Sequence, residues 1–89
     1  MHSHQKFDNV RLHIEYVDVT ALRSEYRRTK KHSVRQIRKL ATAINRVGFN
    51  VPILVDDTLA VVSGDARLDA AKMIGLAQVP IIRIAHLSE

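Results

Sequence analysis

Residues 61–71, VVSGDARLDAA, set a β-branched run, a glycine and a helix-forming segment in immediate succession, with Arg67 three positions past Gly64. A strand that passes directly into a helix leaves the first N–H groups of that helix without intrahelical partners, at the positive end of its dipole. Such an end attracts anions. Gly64 has no Cβ to hold a phosphate off the main chain, and Arg67, one turn in, carries a planar fork of donors that fits phosphate oxygens. Gly64, Asp65 and Arg67 are therefore candidate phosphate-binding residues. The plainer alternative makes Gly64 a tight turn and pairs Arg67 with Asp65, Asp69 or another surface acid.

Catalytic chemistry has fewer candidates. Asp65 and Glu25 are the carboxylates placed to act as a base or to hold a metal ion beside such a site. A carboxylate next to a helix N-terminus is favoured in its charged form, which suits holding Mg²⁺ or water better than donating a proton. The isolated domain is thus expected to bind rather than to turn over. Asp56 and Asp57 are adjacent in a turn-forming stretch, point in different directions and lack a third ligand nearby, so they are expected to shape a turn, and no metal site is expected. His2 and His4 near the amino end could take up a metal adventitiously, whereas His13, His32 and His86 are scattered. No phosphate-binding loop of the G-x-x-x-x-G-K-[ST] type, no H-E-x-x-H and no G-x-S-x-G occurs. The absence of Cys rules out thiol chemistry and Cys-based zinc sites and fits a reducing compartment.

Charge is concentrated. Residues 20–46 contain nine of the 14 Lys and Arg and a single acid, Glu25, so the formal net charge of +5 arises in one third of the 89-residue chain. This points to a polyanionic partner or a phosphate ligand, with an ordinary solvated helix face as the alternative. Four Phe and Tyr are too few for a base-stacking platform. No apolar run approaches a membrane span, and the polar start is unlike a secretory signal, which implies a soluble, cytoplasmic protein with no membrane partner.

The elements that must position these residues are short. Residues 13–19 alternate with β-branched enrichment and are predicted to form a strand, followed by a basic loop, SEYRRTKKH. Val34, Ile37, Leu40, Ala41, Ile44 and Val47 share one helical face, with Ser33 and Gln36 spaced as a capping box and Gly48 placed as a left-handed C-terminal cap. Arg35, Arg38, Lys39 and Arg46 fall on the opposite face and are the candidate DNA-backbone contacts. Strands are predicted at 51–55 and 59–63 as a hairpin around the turn at Asp56–Thr58, then a helix from Gly64 to a cap at Gly75, then a strand at 79–85. Phe49 is expected in the core. The predicted fold is a single small α+β domain, residues 13–89, with a mixed sheet in the order β-α-β-β-α-β, after a flexible segment, residues 1–12.

The succession KKHS, VRQIRKLATAINRVGF, NVPILVDD, AVVSGDARLDAAKMIGL and QVPIIRI resembles the ParB/sulfiredoxin-like superfamily, in particular the ParB-like N-terminal ("ParB-like nuclease") domain, over about residues 14–85. The resemblance implies a turn at Gly64 that grips nucleotide phosphates, with CTP, ATP or ADP as the ligand, with or without Mg²⁺. It also implies that Pro52, Ile53 and Leu54 flank the nucleotide and that Arg27, Arg28 and Lys30 close over the phosphates. Partitioning proteins of this kind resemble Gly-Glu-Arg-Arg at the turn; here Gly64, Asp65, Ala66 and Arg67 keep only the last arginine. Sulfiredoxins place a reactive Cys where this chain has Asp65, which excludes sulfinic acid reduction. The closest variant is the Gly-His-Gly-Arg form found beside DNA methyltransferases. The expectation is a chromosome-partitioning-like, nucleotide-binding module that associates with DNA, either as a homodimer or with a larger DNA-processing protein. The alternatives are a nucleotide-dependent phosphotransferase or nuclease, and a protein-interaction domain with a degenerate site.

Overall fold

A computed structural model describes residues 13–24 and 32–84. The expected flexible segment 1–12, the side chains of Glu25, Arg27, Arg28 and Lys30, and the end of the chain from residue 85 lie outside the described residues.

The predicted order holds, with one addition. β1 (Ile14–Asp18) is followed by a 3-10 turn (Val19–Ala21), α1 (Val34–Val47), β2 (Ile53–Val55), β3 (Val61–Ser63), α2 (Asp65–Met73) and β4 (Gln78–Arg83). The sheet order is β1-β4-β2-β3. β4 runs antiparallel to β1 and parallel to β2, and β2 pairs antiparallel with β3, so the sheet is mixed as expected. Three strands are shorter than their apolar runs suggest. Val19 is buried, but in the 3-10 turn rather than in β1, although its N–H still donates to the Ala77 carbonyl (2.9 Å) in the register of β1 on β4.

Helix α1 starts where its capping box predicts. The Gln36 N–H donates to Ser33 Oγ (3.1 Å), and the Ser33 N–H donates to Gln36 Oε1 (3.2 Å). Ile37, Ala41 and Ile44 point inward, onto Ala70 of α2. Gly48 ends the helix, donating to Ile44 O (2.7 Å), but not in the expected left-handed conformation: at φ 91° and ψ 169° it occupies a region essentially open to glycine alone. Helix α2 does end on a left-handed glycine. Gly75 (φ 76°) donates to Lys72 O and Leu76 donates to Ala71 O, which together make a Schellman cap.

Helix α2 is sandwiched. One side packs on the sheet, where Leu68 and Ala71 join Ile53, Val55, Val61, Val79 and Ile81, all almost fully buried. The other side carries Ala70 against α1. Phe49 is half-buried and touches both clusters, closing the seam after α1.

The turn at Asp56–Thr58 is held by one carboxylate. Asp56 Oδ1 accepts from Thr58 N (2.8 Å), Thr58 Oγ1 (2.8 Å) and Ala60 N (3.0 Å), which is the turn role expected of it. The Thr58 hydroxyl first, then the two N–H groups, hold its pKa below the ordinary 3.8. A carboxylate depressed in the folded state contributes stability above its unfolded pKa and loses that contribution as pH falls through the folded value. Asp56→Asn is therefore expected to lower the unfolding temperature at neutral pH, with the deficit shrinking as pH drops below 3.8. Thermal unfolding of both proteins from pH 7 to pH 2.5 measures it; a deficit constant with pH would remove the carboxylate from the turn's stability.

Candidate functional site

The Gly64 turn is forced by packing as well as by the helix it starts. Gly64 has φ 114° and ψ 20°, and a Cβ there would stand 3.3 Å from Ile53 Cγ1 and 3.4 Å from both Ile53 Cα and Cγ2. Ile53 is fully buried. Its side chain packs in the core beneath the turn, so only its backbone is placed to flank a ligand. Pro52 and Leu54 are half-buried.

Beyond Gly64 the first turn of α2 is open. Glycine brings no capping side chain, and Leu68 N makes the first helical bond, to Gly64 O (3.0 Å). Among the described residues no acceptor is bonded to the N–H groups of Asp65, Ala66 or Arg67. These donors face a cleft of about 330 Å³ lined by His32, Leu40, Val62 and residues 63–67.

Arg67 is half-buried and lines this cleft together with a second, more apolar one of about 280 Å³. Leu40 is common to both; the second runs along α1 past Ala43, Val47 and Phe49 to Val51. Among the described residues Arg67 makes no ion pair and no side-chain hydrogen bond, so the pairing with Asp65 or Asp69 that would have explained it structurally is not formed. The ion pair at Arg83 and Glu15 lies elsewhere: two forked contacts of 2.8 and 3.2 Å bridge β4 and β1.

Asp65 is engaged. Its Oδ1 accepts from Ser24 Oγ at 2.5 Å, across 41 residues of sequence. Ser24 is held in turn by Arg23, whose N–H donates to Leu59 O (3.0 Å), whose carbonyl accepts from Val61 N (2.8 Å), and whose guanidinium reaches Thr58. Sequence reasoning missed Ser24, and it treated His32 as scattered although it lines the cleft. Their nearness to the basic run was the available signal. Arg35, Arg38, Lys39 and Arg46 are all exposed on α1, on the side away from its buried residues. Among the described residues there is no group of three or more His, Asp or Glu placed to hold a metal ion, and no helix long and apolar enough to cross a membrane.

Comparison with known proteins matches this architecture. The chain superposes on sulfiredoxin from Arabidopsis thaliana with a TM-score of 0.74 (24% identity, covering 82% of this chain and 85% of that one). It superposes on a C-terminally truncated chromosome-partitioning protein ParB from Caulobacter crescentus, complexed with CTP-γ-S, with a TM-score of 0.73 (24% identity, 85% of this chain). It spans 46% of that ParB chain and 30% of a Pnob8-like ParB-N chain, on which it superposes with a TM-score of 0.68 at 22% identity. In sequence it is 28% identical over 79 residues to the ParB-like nuclease domain-containing protein YnaK of Escherichia coli (strain K12), covering 89% of this chain and 91% of the relative. The family model of the ParB N-terminal domain matches residues 2–89, and with the order of elements and the mixed sheet in agreement, the chain belongs to the ParB N-terminal domain family.

Proposed function

We propose that this domain binds a nucleoside di- or triphosphate, with its phosphates at the first turn of α2 and its forked contact from Arg67, and that it associates with the DNA backbone through α1. The observation that carries the reading is Arg67: a half-buried guanidinium beside three N–H groups, with neither an acid partner for the one nor an acceptor for the others among the described residues. A phosphate meets both needs at once, accepting from the main chain and from the fork. The apolar groove continuing past Arg67, with Ala43 and Phe49 on its walls, suits the base and ribose. The CTP-γ-S carried by the Caulobacter ParB supports the choice of ligand class. Mg²⁺ would accompany the phosphates.

Binding without chemistry is the favoured form of this reading, because Asp65, the carboxylate in the first turn of α2, already accepts a hydrogen bond from Ser24. Isothermal titration with CTP, ATP and ADP, with and without Mg²⁺, tests the binding. Hydrolysis or phosphotransfer that disappears in Asp65→Asn would establish an enzyme instead.

The DNA contact rests on the exposed Arg35, Arg38, Lys39 and Arg46. Contacts to backbone phosphates release counterions, so log affinity falls with log salt by about 0.9 per phosphate neutralised. A face of Arg and Lys positions a protein without distinguishing bases. Reversing Arg35 and Arg38 to Glu is expected to weaken binding to all duplexes about equally and to flatten the salt slope, leaving the fold intact because Ile37, Ala41 and Ile44 are untouched. Fluorescence anisotropy of labelled duplex across salt concentrations measures this. Binding indifferent to the reversal would leave α1 as a solvated surface.

A further inference from the structure

The two helices begin differently. Ser33 and Gln36 close the start of α1 as a capping box, Ser33 Oγ accepting from the Gln36 N–H and Gln36 Oε1 from the Ser33 N–H. The start of α2 has no such closure, although a carboxylate sits in its first turn. An acidic side chain there is ordinarily drawn to the free N–H groups by hydrogen bonding and by the dipole. Were Asp65 to turn inward, it would occupy the place of an anionic ligand and set a negative charge against any incoming phosphate. Its Oδ1 instead accepts from Ser24 Oγ, and Ser24 is delivered by a segment whose preceding residue is bonded on both backbone sides to the stretch Leu59–Val61.

We infer that Ser24 is a positioning residue for the anion site: it holds the Asp65 carboxylate aside and so keeps the first N–H groups of α2 open to phosphate. The ligand half of this inference rests on the proposed function, whereas the placement of the carboxylate does not. Removing the hydroxyl lets Asp65 cap its own helix, and the domain then inhibits itself. Removing Asp65 as well makes Ser24 irrelevant.

The test uses the full chain as Ser24→Ala, Asp65→Ala and the double variant. Without ligand, amide ¹H–¹⁵N spectra of Ser24→Ala are expected to show the Ala66 and Arg67 N–H signals displaced downfield at neutral pH, an effect absent from the double variant. With CTP, titration calorimetry is expected to show Ser24→Ala about three- to thirtyfold weaker than the unmodified chain. Asp65→Ala should bind more tightly, and adding Ser24→Ala to it should change nothing. Amide signals that respond identically to Ser24→Ala with and without Asp65 would overturn the inference whether or not nucleotide binds. Equal weakening by Ser24→Ala in both backgrounds would also overturn it, making Ser24 a ligand contact or a structural prop. The expected amide response in a chain that binds no CTP, ATP or ADP would sink the proposed function alone.

Discussion

Arg67→Ala is expected to lower nucleotide affinity by about ten- to a hundredfold, the loss of a charge-assisted forked contact of roughly 1.5–3 kcal/mol. Stability should change little by comparison, because no described acid loses a partner with it. Part of the side chain lies between two clefts beside Leu40, so its aliphatic stem also packs. Arg67→Met keeps a stem and discards the charge, and is expected to bind as poorly as Arg67→Ala. Arg67→Lys restores a point charge without the fork and should recover only part of the loss. Calorimetric titration gives the affinities and thermal unfolding without ligand gives the stabilities. Unchanged affinity in Arg67→Ala would return this residue to a packing role and take the phosphate site with it.

Gly64→Ala is expected to destabilise the fold by about 1–3 kcal/mol and to abolish detectable nucleotide binding. Two causes act together: a backbone at φ 114° that L side chains rarely adopt, and a Cβ pressed 3.3–3.4 Å from three atoms of fully buried Ile53. Ile53 lies in β2, paired to β4, and would have to give by a few tenths of an ångström. Gly75 supplies the comparison, since its φ is also positive but nothing lies within 4 Å of a Cβ placed there. The excess cost of Gly64→Ala over Gly75→Ala combines the more strained φ at Gly64 with the contact to Ile53. Equal costs from denaturant titration would show that the strand yields and that packing does not constrain the turn.

Much of this was legible in the sequence because it is written in short-range patterns. The capping box of α1, the glycine closing α2, the turn at Asp56 and the strand-to-helix step at Gly64 each occupy fewer than six consecutive residues. Periodicity likewise marked Val34, Ile37, Leu40, Ala41, Ile44 and Val47 as one face of α1 and the four cations as the opposite one; Ile37, Ala41 and Ile44 are buried, but Val34 and Val47, at the two ends where α2 does not cover them, are exposed. What stayed hidden depends on residues far apart in the chain. The bond from Ser24 to Asp65 spans 41 positions, and no spacing rule links a serine before a basic run to an aspartate after a glycine. Ile53 was assigned to the ligand through resemblance to a family, yet its depth beneath Gly64 is settled by the register of β2 on β4. Gly48 shows a subtler limit: sequence marks a stop for the helix without saying which of glycine's private conformations makes it.

The layering of the two helices gives them unequal tenure. Helix α2 is clasped by the sheet on one side and by α1 on the other, while the described core contacts of α1 are with α2 and the seam around Phe49 and Leu76. Of the two helices the outer one is thus the less enclosed, and it is expected to open before α2 in a partial unfolding event. Its amide protons should exchange with solvent sooner than those of β4. A molecule lodged at Leu40 and Arg67 bridges the outer layer to the inner one. Occupancy would slow the exchange of α1 more than that of the sheet, so the ligand would act as a clasp on the layer that carries the cations.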